Sequence, residues 1–212
     1  MSILYGLVGA SGFGSEVMPI LESSIDSQLK DEYQISFIDI DQSKKMFISK
    51  KVMSEEEFFN TNADIKYFNI AISNPKIRYG VYCRFSETNA KPISIFSNDV
   101  EKISNVSFAE GPIILPHVLF TTNISVGKFF HSNPKCSIAH DVKIGDFVTL
   151  APGAIVNGNV FIDDFAYIGS RAVIKQGVTI GKGATIGMGA VVIRDVEPGT
   201  TVVGNPAKIL EE

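Results

Sequence analysis

The chain has 212 residues, a formal net charge of −4 at pH 7 and a hydrophobic content of 45%. No apolar run reaches the ~18 residues that a membrane-spanning helix needs, so we expect no membrane partner. The basic residues do not cluster, which argues against nucleic acid as a partner. The two cysteines lack the spacing of metal ligands and the N-terminus does not resemble a secretion signal, so we expect reduced thiols and a cytoplasmic location.

Residues 1–90 alternate short apolar runs with amphipathic stretches. Three apolar runs have the length and composition of strands: Ile3–Val8, Ile35–Ile38 and Tyr67–Ile72. Lys91–Phe96, just after this region, is expected to supply a final strand. Helices are predicted between them over three segments: Ser15–Ser24, Ser54–Phe59 and Lys76–Ser86. This order predicts a small α/β domain with a Rossmann-like parallel sheet.

A glycine-rich segment, Gly9–Gly14, joins the first predicted strand to the first helix. Backbone N–H groups at a helix N-terminus bind phosphate well when no Cβ stands in the way. Asp39, at the end of the second strand, lies where such sheets hold a ribose hydroxyl. The domain is too short for the doubled sheet that spans a dinucleotide, so one nucleotide, with or without a sugar, is the expected ligand. A plain strand–helix turn is the alternative.

Residues 97–112 are polar and are expected to be irregular, and we place the domain boundary there, giving domains 1–97 and 98–212. The second domain carries a strict period. From Ile138 an aliphatic residue recurs at every sixth position: Ile138, Ile144, Leu150, Val156, Ile162, Ile168, Ile174, Ile180, Ile186 and Val192. An α-helix would spread this stripe around its whole circumference, because six residues advance about 600°. Hexapeptide periodicity instead predicts a parallel β-helix with these side chains inside.

The residue after each aliphatic is often glycine, alanine or asparagine, as at Gly145, Gly169, Gly181 and Gly187. We expect these positions to form the corners of the coils, where φ is positive.

The chain has three histidines, His117, His131 and His140. His140 lies two residues after the inward Ile138, so we expect its ring to point outward near an edge of the β-helix. A neutral imidazole accepts a proton at neutral pH, and a nearby carboxylate would orient it. The residues alone do not decide whether Asp141 folds back to the ring of His140, and a plain surface pair is the alternative. His117 and His131 are interpreted as structural or solvated.

The hexads, the His140–Asp141 pair and the closing Val203–Lys208 segment resemble the left-handed β-helix acyltransferases. The Gly9–Gly14 segment with Asp39 narrows the resemblance to sugar acyltransferases that carry a small nucleotide-sugar-binding domain. Within that group the chain is most similar to the bacterial UDP-4-amino-sugar N-acetyltransferases of bacillosamine synthesis, and more loosely to the sialic acid O-acetyltransferases. The resemblance covers essentially the whole chain and implies a left-handed β-helix.

The resemblance also implies residue roles in acetyl transfer. His140 matches the general base, Asp141 matches the acidic residue that raises its basicity, and the Gly158 N–H matches the donor to the thioester carbonyl. Three residues match the lining of the coenzyme A cleft: Ser170, Gly187 and Met188. Thr149 stands where the closest relatives carry a second histidine that contacts the acyl donor.

The same resemblance assigns the acceptor site. Residues that match nucleotide-binding positions lie on three loops: Ser11, Gly12, Phe13, Asp39, Ile40, Ser73 and Asn74. Ser73 replaces a glycine that approaches the uridine, which puts the exact nucleotide in doubt. Asn133 matches an asparagine beside the base.

These matches imply direct transfer of an acetyl group from acetyl-CoA to the amine of a UDP-linked amino sugar, without a metal, in a homotrimer whose active sites lie between subunits. A sugar O-acetyltransferase would use the same base and donor site. A zinc lyase of the carbonic anhydrase type would need three converging histidines, and a non-catalytic sugar-nucleotide sensor would leave acetyl-CoA intact. Phe147, Phe165 and Tyr167 are expected to form an exposed apolar patch that a trimer would cover.

Overall fold

The computed structural model describes residues 1–26 and 33–211. They form two compact units. The first comprises Met1–Ser73 and Ile77–Ile95, and the second comprises Asn74–Lys76 and Phe96–Glu212. Within the described ranges, no helix has the length and apolarity to cross a membrane.

The first unit is an α/β sheet domain. Its elements follow in chain order: β1 (Ile3–Val8), α1 (Gly12–Asp26), β2 (Tyr33–Ile38), β3 (Met46–Phe47), β4 (Lys50–Met53), α2 (Glu55–Asn60), β5 (Ile65–Ile70), α3 (Pro75–Ser86) and β6 (Lys91–Pro92). The strand order is β3-β4-β2-β1-β5-β6, and every pairing is parallel except that of β3 with β4. Because β2 and β5 flank β1 on opposite sides, the winding reverses there. Sheets of this kind bind ligands outside the carboxyl ends of the strands at such a reversal.

The predicted α/β fold class is confirmed. The first strand has the predicted bounds, and α1 begins at Gly12, three residues before the predicted start at Ser15. The predicted strand Lys91–Phe96 is instead two short strands, β6 and β7 (Ile95–Phe96), which belong to different sheets.

The second unit is built from short strands. After β7, which crosses the division between the units, they are β8 (Glu101–Phe108), β9 (Ile113–Ile114), β10 (Leu119–Val126), β11 (His131–Ser132), β12 (Ser137–Ile138), β13 (Lys143–Ile144), β14 (Thr149–Leu150), β15 (Ile155–Val156), β16 (Phe161–Ile162), β17 (Tyr167–Ile168), β18 (Val173–Ile174), β19 (Thr179–Ile180), β20 (Thr185–Ile186), β21 (Val191–Val192), β22 (Thr201–Val203) and β23 (Lys208–Ile209). Strands of successive coils pair in parallel, as His131 pairs with Thr149 and Thr149 with Tyr167.

Each coil of 18 residues has three strands and three corners, and residues one coil apart lie side by side. Between residues 105 and 189, a residue with positive φ marks every corner. Corner A has them at positions 105, 123, 141, 159 and 177, corner B at 111, 129, 147, 165 and 183, and corner C at 117, 135, 153, 171 and 189. Each of the three corners also includes the residue immediately before the one with positive φ. The faces are named face 1 (β12, β15, β18, β21), face 2 (β13, β16, β19) and face 3 (β9, β11, β14, β17, β20, β22).

The hexad prediction is confirmed for all ten aliphatic positions. From Ile138 to Val192 each of these side chains is at most 5% exposed, and together they form one continuous core along the β-helix. Burial of apolar surface on this scale stabilises the stack, and each coil relies on its neighbours because a single coil cannot bury its own inner face.

The explanation of the small residues after each aliphatic was wrong. Gly145, Gly169, Gly181 and Gly187 do not have positive φ. A Cβ would instead collide with the next coil, lying 2.6 Å from the Ile186 carbonyl oxygen at Gly169 and 2.6 Å from Val203 Cγ1 at Gly187. The residue that turns each corner comes two positions later.

The expectation that residues 97–112 are irregular was also wrong. Strand β8 (Glu101–Phe108) lies in this segment and pairs in parallel with β10, so the β-helix begins earlier than the aliphatic hexads indicate. The hexad phase reaches Lys102, but this residue is exposed. Its ammonium lies 4.3 Å from the ring centroid of Phe96 and 5.0 Å from that of Phe108, so this hexad position carries cation–π contacts instead of a buried aliphatic side chain.

The exposed aromatic patch is not present as predicted. Phe147 is only 3% exposed, because its ring stacks between Phe129 at 5.7 Å and Phe165 at 5.5 Å along corner B. Phe165 and Tyr167 are half-buried.

Candidate active site

Corner A brings together three of the predicted catalytic residues. His140 follows face 1, and its side chain is 52% exposed. The adjacent Asp141 has φ of 61°, which turns the chain so that its carboxylate folds back to the preceding ring. His140 Nδ1 and Asp141 Oδ2 are 2.8 Å apart. A carboxylate only accepts hydrogen bonds, so Nδ1 carries the proton and Nε2 is left as the basic nitrogen.

The Asp141 carboxylate has a second partner on the preceding coil. Asn123 Nδ2 donates to Asp141 Oδ1 at 3.1 Å, and Asn105 Nδ2 donates to Asn123 Oδ1 at 2.8 Å. The hydrogen bond from His140, and then that from Asn123, hold the pKa of Asp141 below its ordinary value. Asp141 therefore remains an anion beside the imidazole at neutral pH.

Gly158 lies against the imidazole, one coil after His140. A Cβ at this position would be 2.5 Å from His140 Cε1 and 2.6 Å from Nε2. Only glycine leaves the ring in its observed position. The Gly158 N–H has no hydrogen-bond partner within residues 1–26 and 33–211, so it is available to an acceptor atom placed beside the ring.

The residues predicted to bind coenzyme A lie elsewhere on the β-helix. Ser170 and Met188 are stacked one coil apart at corner C, with Gly187 directly before Met188, whose side chain is 82% exposed. Thr149 lies on face 3 and is fully buried. A single chain thus places His140 at one edge and Ser170 and Met188 at another, with Thr149 buried on the face between corners B and C.

Asn133 also lies away from the base, at the end of face 3 next to corner C. Its amide Nδ2 donates to the Leu150 carbonyl oxygen at 2.9 Å, and the residue is 8% exposed. Asn157 makes the corresponding bond to the Ile174 carbonyl oxygen at 2.6 Å. In the single chain Asn133 therefore ties two coils together.

In the first unit, Asp39 organises the glycine-rich loop. Its Oδ2 accepts from the Ala10 N–H at 2.7 Å and its Oδ1 accepts from the Asp41 N–H at 2.9 Å. Gly9 has φ of 110°, and a Cβ on Gly14 would lie 2.0 Å from the Gly9 carbonyl oxygen. These two glycines are required by the backbone geometry.

Gly12, at the start of α1, has open space around its Cα, and Ser11 beside it is exposed. The N-terminus of this helix thus has room for an anion. Phe13 is half-buried.

A cavity of ≈ 120 Å³ lies at the carboxyl ends of β1 and β2 and beside the segment that follows β5. Its walls are mainly aliphatic and include Gly9, Asp39, Ile40, Ile72 and Ile77. Ile40 is 89% exposed, so it forms an apolar rim. This is the edge at which the reversed winding of the sheet predicts a ligand.

Glu55 and Arg84 also line this cavity. Arg84 Nε donates to Glu55 Oε2 at 2.9 Å and Arg84 Nη2 donates to Oε1 at 2.6 Å, so the pair is bidentate. The paired charges add polar atoms to those of Asp39 on a mainly aliphatic wall.

Arg78 fixes the loop after β5. The buried guanidinium donates through Nη1 to the carbonyl oxygens of Ile72 at 2.7 Å and Ser73 at 3.1 Å. Burial lowers the pKa of Arg78 to about 9, so it stays charged at neutral pH. Ser73 and Asn74 are both exposed, and Asn74 Oδ1 accepts from the Lys76 N–H at 3.0 Å at the start of α3.

Over the described ranges, no group of three or more His, Cys, Asp or Glu side chains is arranged to hold a metal ion. Four residues of these sites were not predicted from the sequence: Asn105, Asn123, Glu55 and Arg84. The 18-residue spacing of Asn105, Asn123 and Asp141 was a visible signal for the first two. Nothing in the local sequence pairs Glu55 with Arg84, because they lie on different helices.

The 18-residue coils and their parallel stacking are those of a hexapeptide-repeat protein. A family model described as bacterial transferase hexapeptide (six repeats) matches residues 159–194. The structure of WeeI from Acinetobacter baumannii AYE superimposes with a TM-score of 0.93 and 41% identity, covering 98% of this chain and 100% of that one. The chain therefore belongs to the hexapeptide-repeat family, and its β-helix is left-handed as predicted.

Two further relatives are named as acetyltransferases. The chain is 44% identical over 138 residues to GDP-perosamine N-acetyltransferase of Escherichia coli O157:H7, covering 65% of this chain and 62% of that enzyme. The chain thus spans less than two thirds of the length of that relative. The acetyltransferase domain of PglB from Neisseria gonorrhoeae FA1090, in complex with acetyl coenzyme A, matches with a TM-score of 0.87 and 25% identity over 98% of both chains.

Proposed function

We propose that the protein is an acetyl-CoA-dependent N-acetyltransferase that acts on the amino group of a nucleotide-linked amino sugar. The observation that carries this proposal is the exposed His140–Asp141 pair, whose Nδ1–Oδ2 distance is 2.8 Å. The names of the E. coli and Neisseria relatives support both the acyl donor and the class of acceptor.

The proposed reaction is a direct transfer. The sugar amine attacks the thioester carbonyl carbon, while His140 Nε2 removes a proton from the amine nitrogen. The C–S bond then breaks, and the imidazolium returns the proton to the departing thiolate sulfur. Asp141 stabilises the imidazolium, and the Gly158 N–H is the proposed donor to the developing oxyanion.

The acceptor nucleotide is assigned to the first unit. The open N-terminus of α1 suits a diphosphate, and the aliphatic cavity next to Asp39 suits a ribose and base. The resemblance favours UDP-4-amino-4,6-dideoxy-GlcNAc-like sugars of bacillosamine synthesis, while the E. coli relative is named for a GDP sugar. The assay below distinguishes the two nucleotides.

Assembly into a homotrimer completes the proposed site. His140 at corner A and the predicted coenzyme A residues at corner C lie on different edges of one chain, so a shared cleft needs a second subunit. A closed cyclic trimer would bring corner A of one chain to corner C of the next. Sedimentation analysis that finds a fully active monomer at micromolar concentration would contradict this assembly.

A thiol-release assay tests the function. The protein is incubated with acetyl-CoA and a panel of UDP- and GDP-linked sugars that carry an amine, with the matching hydroxyl sugars as controls. Free CoA should appear only with an amino sugar, and mass spectrometry should find the acetyl group on its nitrogen. Transfer to a hydroxyl sugar would indicate an O-acetyltransferase, and binding without CoA release would indicate a sensor.

A further inference from the structure

Polar side chains form a ladder along corner A on the coils before the histidine. Asn105, Asn123 and Asp141 are one coil apart, with φ of 49°, 55° and 61°. Their side chains are joined by hydrogen bonds of 2.8 Å and 3.1 Å, and Asp141 is joined to His140 by one of 2.8 Å. Asparagine and aspartate tolerate this left-handed backbone, so the fold itself selects residues that can form such a ladder.

The Asp141 carboxylate at the end of the ladder determines which group donates and which accepts in each hydrogen bond. The carboxylate of Asp141 has no proton to donate, so Asn123 must turn its NH₂ group toward it. The carbonyl oxygen of Asn123 then faces the preceding coil, where the NH₂ group of Asn105 donates to it. Both asparagines are thus oriented toward the carboxylate.

Asn123 also fixes how the carboxylate is turned. It occupies Oδ1 of Asp141, while Oδ2 is left to face His140 Nδ1. Without this bond the carboxylate of a half-exposed side chain is free to rotate and to exchange its partner for water. The proton on Nδ1 would then lose its fixed acceptor, and Nε2 would no longer be consistently the basic nitrogen.

We propose that Asn123 is a positioning residue for His140: by locking the Asp141 carboxylate it sets the imidazole tautomer that leaves Nε2 unprotonated. This rests on the proposed role of His140 as the base. Asn123 acts through Asp141 and touches neither substrate in this scheme.

The test reads the tautomer directly in the unliganded full-length protein. The chain has three histidines, so ¹⁵N-histidine NMR resolves them, and a His140→Gln variant assigns the signals of His140. Asn123→Gly removes the amide while keeping the left-handed backbone free of strain. Asn123→Asp keeps size and backbone but replaces the donor with an acceptor. Asn159→Gly is the matched control, since Asn159 has φ of 56° at the same corner and no side-chain hydrogen bond within the described residues.

We expect the ratio of Nδ1–H to Nε2–H imidazole to fall about 3- to 10-fold in Asn123→Gly, the size expected for one hydrogen bond. Asn123→Asp should lower it further, while Asn159→Gly and the melting temperatures should stay close to wild type. A wild-type tautomer ratio in both folded Asn123 variants would overturn the proposal. The tautomer is measured without substrate. A shifted ratio in a protein that transfers no acetyl group would therefore support the ladder and count against the proposed function alone.

Discussion

Replacement of Gly158 by alanine tests whether the position of the His140 ring governs turnover. The added methyl would lie 2.5 Å from Cε1 of His140, whereas carbon atoms in contact are separated by about 3.5 Å. The ring must therefore move by about 1 Å, which breaks its alignment with Asp141 Oδ2. A displacement of this size at a reacting group lowers the rate by about 10²-fold.

The backbone itself should accept the change. Gly158 does not have positive φ, and a glycine-to-alanine change at a compatible site stabilises a protein by about 0.4–1 kcal/mol through the unfolded state. We thus expect kcat to fall about 10²-fold with no loss of thermal stability. Gly80→Ala is the control, because a Cβ at Gly80 meets nothing within 4 Å and the residue lies in α3.

A double-mutant cycle separates the ring from the Gly158 N–H. If the methyl acts by displacing the imidazole, Gly158→Ala should change kcat by less than about threefold in a His140→Ala background, since residues in contact are not additive. The measurement is CoA release at saturating substrates, with circular dichroism to confirm folding. A folded Gly158→Ala single variant with wild-type kcat would refute the geometric argument.

Two further substitutions and one labelling experiment test other assignments. His140→Ala should lower kcat by roughly 10²–10⁴ without unfolding the protein, whereas His117→Ala, at the exposed corner C, should not; equal rates would remove His140 from the mechanism. Asp39→Ala should raise KM for the nucleotide sugar by about tenfold and leave KM for acetyl-CoA unchanged, because its carboxylate holds two loop amides; parallel changes in both values would contradict a separate acceptor site. Burial raises the pKa of the Cys136 thiol. The buried neutral thiol of Cys136 therefore contributes stability below the ordinary thiol pKa, and this contribution is lost as the pH rises from there through the raised pKa. Iodoacetamide at pH 8 should label the half-exposed Cys83 and leave the buried Cys136 unmodified until the protein unfolds.

The β-helix could be predicted from the sequence because every coil imposes the same requirement on its inward-facing positions. An inward side chain at every sixth residue must be apolar, and this leaves a periodic pattern that needs no knowledge of distant contacts. The pattern failed at the coil that contains β8. There the hexad position carries Lys102, an exposed residue whose ammonium lies near the rings of Phe96 and Phe108, so this position left no aliphatic signal.

The candidate site was predictable only in part. The roles of His140 and Asp141 followed from the resemblance, but the contact between the two side chains did not, because it depends on the positive φ of Asp141 at the corner. The packing of Gly158 under the ring and the bond from Asn123 join residues 18 positions apart, and they follow from the coil length rather than from any local pattern. The burial of Phe147 depends on ring stacking with two other coils, which hydropathy alone does not indicate.

Because corner A has the same backbone geometry in successive coils, the histidine could be carried by a different coil at the same corner. Asn159 already has the left-handed backbone that Asp141 uses, with φ of 56° against 61°. Gly158→His and Asn159→Asp would rebuild the pair one coil further along, and Gln176→Gly would make room for the new ring. His140→Gly would remove the original histidine, and Asp141→Asn would supply the amide that donates to the new carboxylate. Adjacent strands are about 4.8 Å apart. The reach from the base to a substrate held at a fixed point could therefore be adjusted in steps of that length by substitution alone, with every loop and strand left at its present length.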